Sequence, residues 1–199
     1  MFYTVVLSVA NGNAFLTAFP LLLPILGTMG GMGAMLVFTN DRTKGVFEYL
    51  IAYGIPPRRI FLNVIETALV MLSVVDVATL SVGIGLRIAL GRGIPFQFVL
   101  DIVVYSVPMS YGTAAFTSAA GMFWTSLSSP RQGMNSPLGL LPTLGIAPGV
   151  LVLVIALAVG PALAVYVAVS AVVVVVIAAV ALLALGSRLL PRERLLSPA

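Results

Sequence analysis

Long apolar runs, not an alternation of polar and apolar positions, organise this chain. About 20 helical residues suffice to cross the roughly 30 Å hydrocarbon core of a bilayer. Five runs are long enough and carry few charges: Ala14–Phe38, Ile60–Ala89, Phe96–Ser126, Leu138–Val159 and Ala162–Gly186. Each predicts a transmembrane helix. Pro108 inside the third predicts a kink or a break, because proline removes a helical hydrogen bond and its ring crowds the preceding turn. Only Gly160-Pro161 separates the last two runs, which reads as a tight helical hairpin. Residues Met1–Ala10 are apolar but too short to cross, and Asn11-Gly12-Asn13 reads as a turn. The expected fold is all-α. It is a polytopic transmembrane bundle forming a single domain over residues 1–199, with five clear spans and a short N-terminal apolar segment.

Composition agrees. Of 199 residues 60% are hydrophobic and 8% charged, with a mean hydropathy of +1.16. Soluble domains carry about 25% charged residues, so a soluble enzyme, a disordered chain and a nucleic-acid-binding domain are all excluded. The absence of His and Cys removes thiolate and imidazole metal sites, disulfides and every His- or Cys-based triad. The ten basic residues then sort by side. If each run crosses once, Arg42, Lys44, Arg58, Arg59, Arg131, Arg188, Arg192 and Arg194 share one face of the membrane, and only Arg87 and Arg92 take the other. By the positive-inside rule the richer face is cytoplasmic. That places the 40–59 connection and the C-terminus in the cytoplasm of a multi-pass cell-membrane protein, with the N-terminus outside.

The 40–59 connection is where chemistry concentrates. Asp41 or Thr43 is positioned to cap a short helix, since their side-chain oxygens accept from its free first-turn N–H groups. Val46, Tyr49, Leu50 and Tyr53 follow at helical spacing as one apolar stripe. Gly54 supplies the stop, and Pro56-Pro57 prevent resumption. The expected product is a short amphipathic helix against the cytoplasmic face, showing two tyrosines and the Glu48 carboxylate to something outside the bilayer. A bland alternative is a helix lying in the headgroups, with the tyrosines as interfacial anchors.

These residues resemble the signature of type-2 ABC exporter permeases. An acidic/basic pair, Asp41-Arg42, precedes a Gly-x-x-Glu-x-Leu helix formed by Gly45, Glu48 and Leu50, and a Pro-x-Arg turn at Pro56 and Arg58 follows. The Ser128-Ser-Pro-Arg-Gln132 connection and the Arg-rich tail from Arg188 are also similar to that family. The resemblance implies that the short helix couples to a separate ABC ATPase subunit, and that a second permease subunit completes a homo- or heterodimer. It implies transport by alternating access, with ATP and Mg bound by the partner ATPase and no cofactor bound by this chain. Such permeases usually have six spans; here the first is absent or reduced to Met1–Ala10.

The chain is not expected to be an enzyme. A phosphate loop needs Gly-Lys followed by Ser or Thr, and the only lysine, Lys44, lies between Thr43 and Gly45. A haem-exporter-like permease of cytochrome maturation shares a similar loop and is the alternative within transport. A non-transporting membrane scaffold is the alternative outside it. An intramembrane aspartyl protease would need Asp76 and Asp101 brought together. Charges within spans cost about 2.5–3.5 kcal/mol each on insertion scales and so need reasons. Glu66, near the cytoplasmic edge, reads as snorkelling or paired, and Asp101 as a partner for Arg92. Asp76 falls near the middle of its span and reads equally as an internal hydrogen-bond anchor or as a carboxylate on the substrate path. Gly27-x-x-x-Gly31 reads as a close helix contact. Lipid is an expected partner and nucleic acid is not.

Overall fold

A computed structural model describes residues 14–89, 93–127 and 161–189. Every regular element among them is helical. Helix α1 spans Ala14–Thr43, α2 Val46–Ala52, α3 Pro57–Ala89, α4 Phe96–Asp101, α5 Val107–Leu127 and α6 Pro161–Leu189, with a π-helical turn over Ile102–Ser106 joining α4 to α5. Four stretches are long and apolar enough to cross a membrane: Leu23–Thr43, Pro57–Ala89, Phe98–Phe123 and Ala168–Leu185. They match four of the five expected spans. The fifth, Leu138–Val159, lies outside the described residues, as do Met1–Ala10, Arg92, Arg131, Arg192 and Arg194.

The break expected at Pro108 is instead a change of helical pitch. Proline at 108 cannot donate to the carbonyl of Val104 and crowds it. Widening the preceding turn to π pitch relieves that crowding without ending the helix. At the other chain boundary Pro57 is the first residue of α3, the position where a missing N–H costs nothing.

Burial runs opposite to a water-soluble protein. The most apolar span, in α6, has a mean hydropathy of 3.1 yet only 11% of it is buried in protein, whereas the α5 span, at 1.3, is 61% buried. Apolar side chains facing outward and polar ones inward are what lipid as solvent produces. α5 is thus the centre of the bundle, lying against α1, α3 and α6. Its buried side includes Ser110, Thr113, Thr117 and Ser118 as well as Met109, Ala114 and Met122, and continues from the buried Ser106 of the π-helical turn.

Glycine sets the closest crossing. A Cβ on Gly27 would collide with the Ser110 carbonyl oxygen and lie 2.7 Å from Thr113 Oγ1. One on Gly31 would collide with Thr117 Oγ1 and lie 2.7 Å from the Ala114 carbonyl oxygen. The expected Gly27-x-x-x-Gly31 contact is therefore the seam between α1 and α5. Matching positions rise together along both helices, so α1 and α5 run parallel. Gly112 against Val175 and Val176, and Ala119 and Met122 near Leu182 and Leu183, show that α6 runs parallel to them as well. α3 runs antiparallel, with Ser110 reaching Asp76 and Tyr111 reaching Ser73.

Candidate functional site

Two places gather the residues singled out by the sequence: the short helix α2, and the crossing of α3 over α5. At the first, Lys44 and Gly45 turn the chain out of α1. The N–H of Lys44 donates to the Asn40 carbonyl at 3.1 Å, and Gly45 takes φ 71°, the left-handed conformation that stops α1 and opens α2. Contrary to the expectation from the sequence, neither Asp41 nor Thr43 caps α2. They belong to the last turn of α1, where the Thr43 hydroxyl bonds back to the Asn40 carbonyl at 2.8 Å, and Gly45 occupies the cap position with no side-chain bond.

The other end of α2 is closed by a Schellman motif. Gly54, at φ 83°, donates to Ile51 O at 3.0 Å, and Ile55 donates to Leu50 O at 3.1 Å. Leu50 and Ile55 both lean on the same buried cluster, as the hydrophobic contact of that motif requires. Gly54 acts as the stop that the sequence suggested.

Packing fixes which side of α2 faces out. Phe47 and Ile51 are buried with Phe38 of α1, Ile60, Phe61 and Ile65 of α3, and Ala119 and Met122 of α5. The Phe38 and Phe47 ring centroids are 4.9 Å apart at 42°, a tilted arrangement favoured by ring quadrupoles. Leu182 and Leu183 of α6 lean on this cluster too, so one apolar knot ties α2 to all four long helices. Tyr49 and Tyr53 stand on the opposite side, 66% and 70% exposed, with Val46 and Glu48 also exposed. Their rings lie 4.9 Å apart and their hydroxyls 3.3 Å apart. That hydroxyl bond, more than desolvation, raises the Tyr53 phenol above its ordinary value. Leu50 is half-buried against the knot, so the expected stripe of four divides into three outward residues and one that faces inward in part. Arg58 is exposed in the first turn of α3, and Pro56 O accepts from Arg59 at 2.9 Å to start that helix.

No family model matches the chain, and neither the curated proteins nor the solved structures searched gave a match. The site therefore has to be read from its own geometry.

That geometry puts Arg42, Lys44, Arg58 and Arg59 beside α2, and Arg188 in the last turn of α6 at the same end. Among the described residues only Arg87 lies at the far end, where its Nε donates to Gly93 O at 2.8 Å and ties the end of α3 to the following loop. Asp41 points elsewhere. It lines a groove between α1 and α3 together with Asn63 and Thr67, away from the α2 tyrosines.

Asp76 is 3% exposed in the interface of α3 and α5. Its Oδ2 accepts from Ser110 Oγ at 3.0 Å, while its Oδ1 has no hydrogen-bond partner. One turn along, Tyr111 donates to Ser73 Oγ at 2.6 Å. The two pairs bridge the same crossing. Asp101 is buried on α4, Glu66 is exposed on α3, and among the described residues no group of three carboxylates could hold a metal. The Ser110 hydroxyl that meets Asp76 was missed from the sequence, although Ser106, Ser110, Thr113 and Thr117 recur at helical spacing and form a readable polar stripe.

Proposed function

We propose that this chain is the membrane-spanning permease subunit of an ATP-driven ABC exporter, docked through α2 to a separate ATPase subunit. The observation that carries the reading is the outward pair Tyr49–Tyr53 on a helix whose other side is anchored in the bundle. Exposed tyrosines on a preorganised element are costly to leave uncovered and are favoured as interface anchors. The basic residues around α2 support a cytoplasmic position for that end.

The described spans also support a five-span chain. α5 and α6 run parallel, which agrees with the further crossing that the apolar sequence Leu138–Val159 predicts between them. With that crossing the N-terminus of α1 lies outside, and α2 and the C-terminus lie in the cytoplasm.

The knot around Phe47 supplies the coupling. ATP-driven closure of two ATPase subunits displaces the two α2 helices they hold. Because Phe47 and Ile51 belong to one buried cluster with residues of α1, α3 and α5, that displacement moves the spans together and not α2 alone. Alternating access of a permease dimer follows from rocking such bodies against each other. Asp76 serves here as the anchor of α3 on α5, enclosed at the crossing and absent from the lining of the α1–α3 groove. Cargo class is left to the assembled dimer.

Co-purification tests the proposal. An ABC ATPase subunit should co-purify from native cells with the wild-type chain and be lost from the Tyr49→Ala, Tyr53→Ala double variant. Two well-buried interface aromatics are worth about 2 kcal/mol or more each, a loss of at least about thirtyfold in affinity per residue. Retention of the ATPase by the double variant at wild-type level would refute docking through α2 and leave a membrane scaffold as the better account.

A further inference from the structure

α1 and α3 separate along their outer edge and leave a groove of about 580 Å³. Its floor is Gly30, whose added Cβ would meet only Leu72 at 3.7 Å, and Gly33, which has nothing within 4 Å. Its walls are apolar and include Met29, Val37, Met71 and Val75. Polarity is confined to one end, where Asp41, Asn63 and Thr67 line it. The Thr67 hydroxyl is spent on the Asn63 carbonyl at 2.8 Å, and among the described residues Asp41 is the only charged group in the lining.

Size and polarity together select the occupant. From Leu26 to Asp41 the helix rises about 22 Å. The volume spread over that length leaves a mean cross-section of about 26 Å², a third of the ~80 Å² taken by a helix about 10 Å across. A hydrocarbon chain suits that width and a transmembrane helix of a second copy does not. The polar end lies at the α2 side of the bundle, where a lipid of that leaflet places its headgroup. We propose that the groove holds one acyl chain of an amine-bearing phospholipid, with the headgroup ammonium against the Asp41 carboxylate. Arg42, Lys44, Arg58 and Arg59 surround that end without lining the groove. They attract the phosphate of any lipid, so the ammonium contact is what gives the site its preference. The methionines on both walls adapt to chains of different kink and length.

The test is lipid retention by the purified chain in detergent, followed by native mass spectrometry, with phosphatidylethanolamine and phosphatidylglycerol of identical acyl chains. Wild type should keep one phosphatidylethanolamine per chain, preferred by about fivefold, as befits a partly exposed ion pair. Asp41→Asn should remove that preference while still binding both lipids. Gly33→Trp fills the floor and should lower retention of both by about tenfold, because it takes the space in which the chain makes its packing contacts. Met71→Trp, from the opposite wall, should do the same if Gly33→Trp fails to fold. Equal retention of the two lipids by wild type, or a preference for phosphatidylglycerol, would overturn the Asp41 contact. Unchanged retention in a folded Gly33→Trp protein would overturn the groove as the site. A wild-type dimer that Gly33→Trp splits would show that a second copy, not lipid, fills it.

Discussion

Two glycines on α1, two residues apart, should answer the same substitution with opposite signs. Gly31 faces α5, where a methyl group collides with Thr117 Oγ1 and comes within 2.7 Å of the Ala114 carbonyl oxygen. The threonine can turn, but the backbone carbonyl cannot move without shifting α5. Overpacking of this kind costs about 1–3 kcal/mol. Gly33 has open space at its Cβ position, so Gly33→Ala incurs no clash and gains up to about 1 kcal/mol of helix propensity. The propensity gain is common to both substitutions, so the two variants should differ by the overpacking cost alone, about 1–3 kcal/mol, a factor of roughly five to a hundred and fifty in the folded-to-unfolded ratio. Titration with a denaturing detergent in mixed micelles, followed by fluorescence of the single tryptophan, reads this as a shift in midpoint. Gly31→Ala should unfold well before wild type and Gly33→Ala at or after it. Equal midpoints for the two variants would refute the α1–α5 seam, and with it the parallel arrangement on which the span count depends.

Phe47→Ala removes the ring that packs on Phe38 and fills the buried cluster under α2. It should destabilise by about 3–5 kcal/mol as measured in the same titration, whereas Tyr49→Ala should leave the midpoint within about 0.5 kcal/mol of wild type. The Asp76–Ser110 contact should show a coupling of about 0.6 and at most about 1.7 kcal/mol in a double-mutant cycle of Asp76→Asn with Ser110→Ala; zero coupling would contradict the anchor role. The orientation can be checked in a chain with no native cysteine. Cysteine in place of Arg59 should be shielded from an impermeant thiol reagent in intact cells and cysteine in place of Phe96 should react, the reverse outcome inverting the topology.

The spans were legible because lipid tolerates apolar residues on every side of a helix, so length and hydropathy locate them without any facing information. What faces what was harder. In Val46–Ala52 every residue but Glu48 is apolar or aromatic, so two stripes compete: Val46, Tyr49, Leu50 and Tyr53, or Phe47, Ile51 and Ile55. Periodicity cannot choose between them. The choice is made by residues of other helices: Phe38, whose ring lies against Phe47, and the buried cluster that also holds Phe61. The ends of α2 were only half legible for a related reason. Gly54 ends the helix through a local backbone requirement, which sequence shows directly. The start depends on how far the hydrogen-bond ladder of α1 runs on, and it continues through Asp41 and Thr43 until Gly45. Asp76 stood out as an intramembrane carboxylate, but its partner is 34 residues away, and only the fold brings Ser110 to it.

The account rests on α2 meeting an ATPase, and a photocrosslinking amino acid placed at single positions tests this most directly. Introduced at Tyr49 or Tyr53 in native cells, it should form an adduct containing an ATP-binding protein. Introduced at Phe96, at the far end of the bundle, it should not. Adducts from Tyr49 and Tyr53 to lipid alone, with none to an ATP-binding protein, would show a helix lying in the headgroups and contradict the exporter reading.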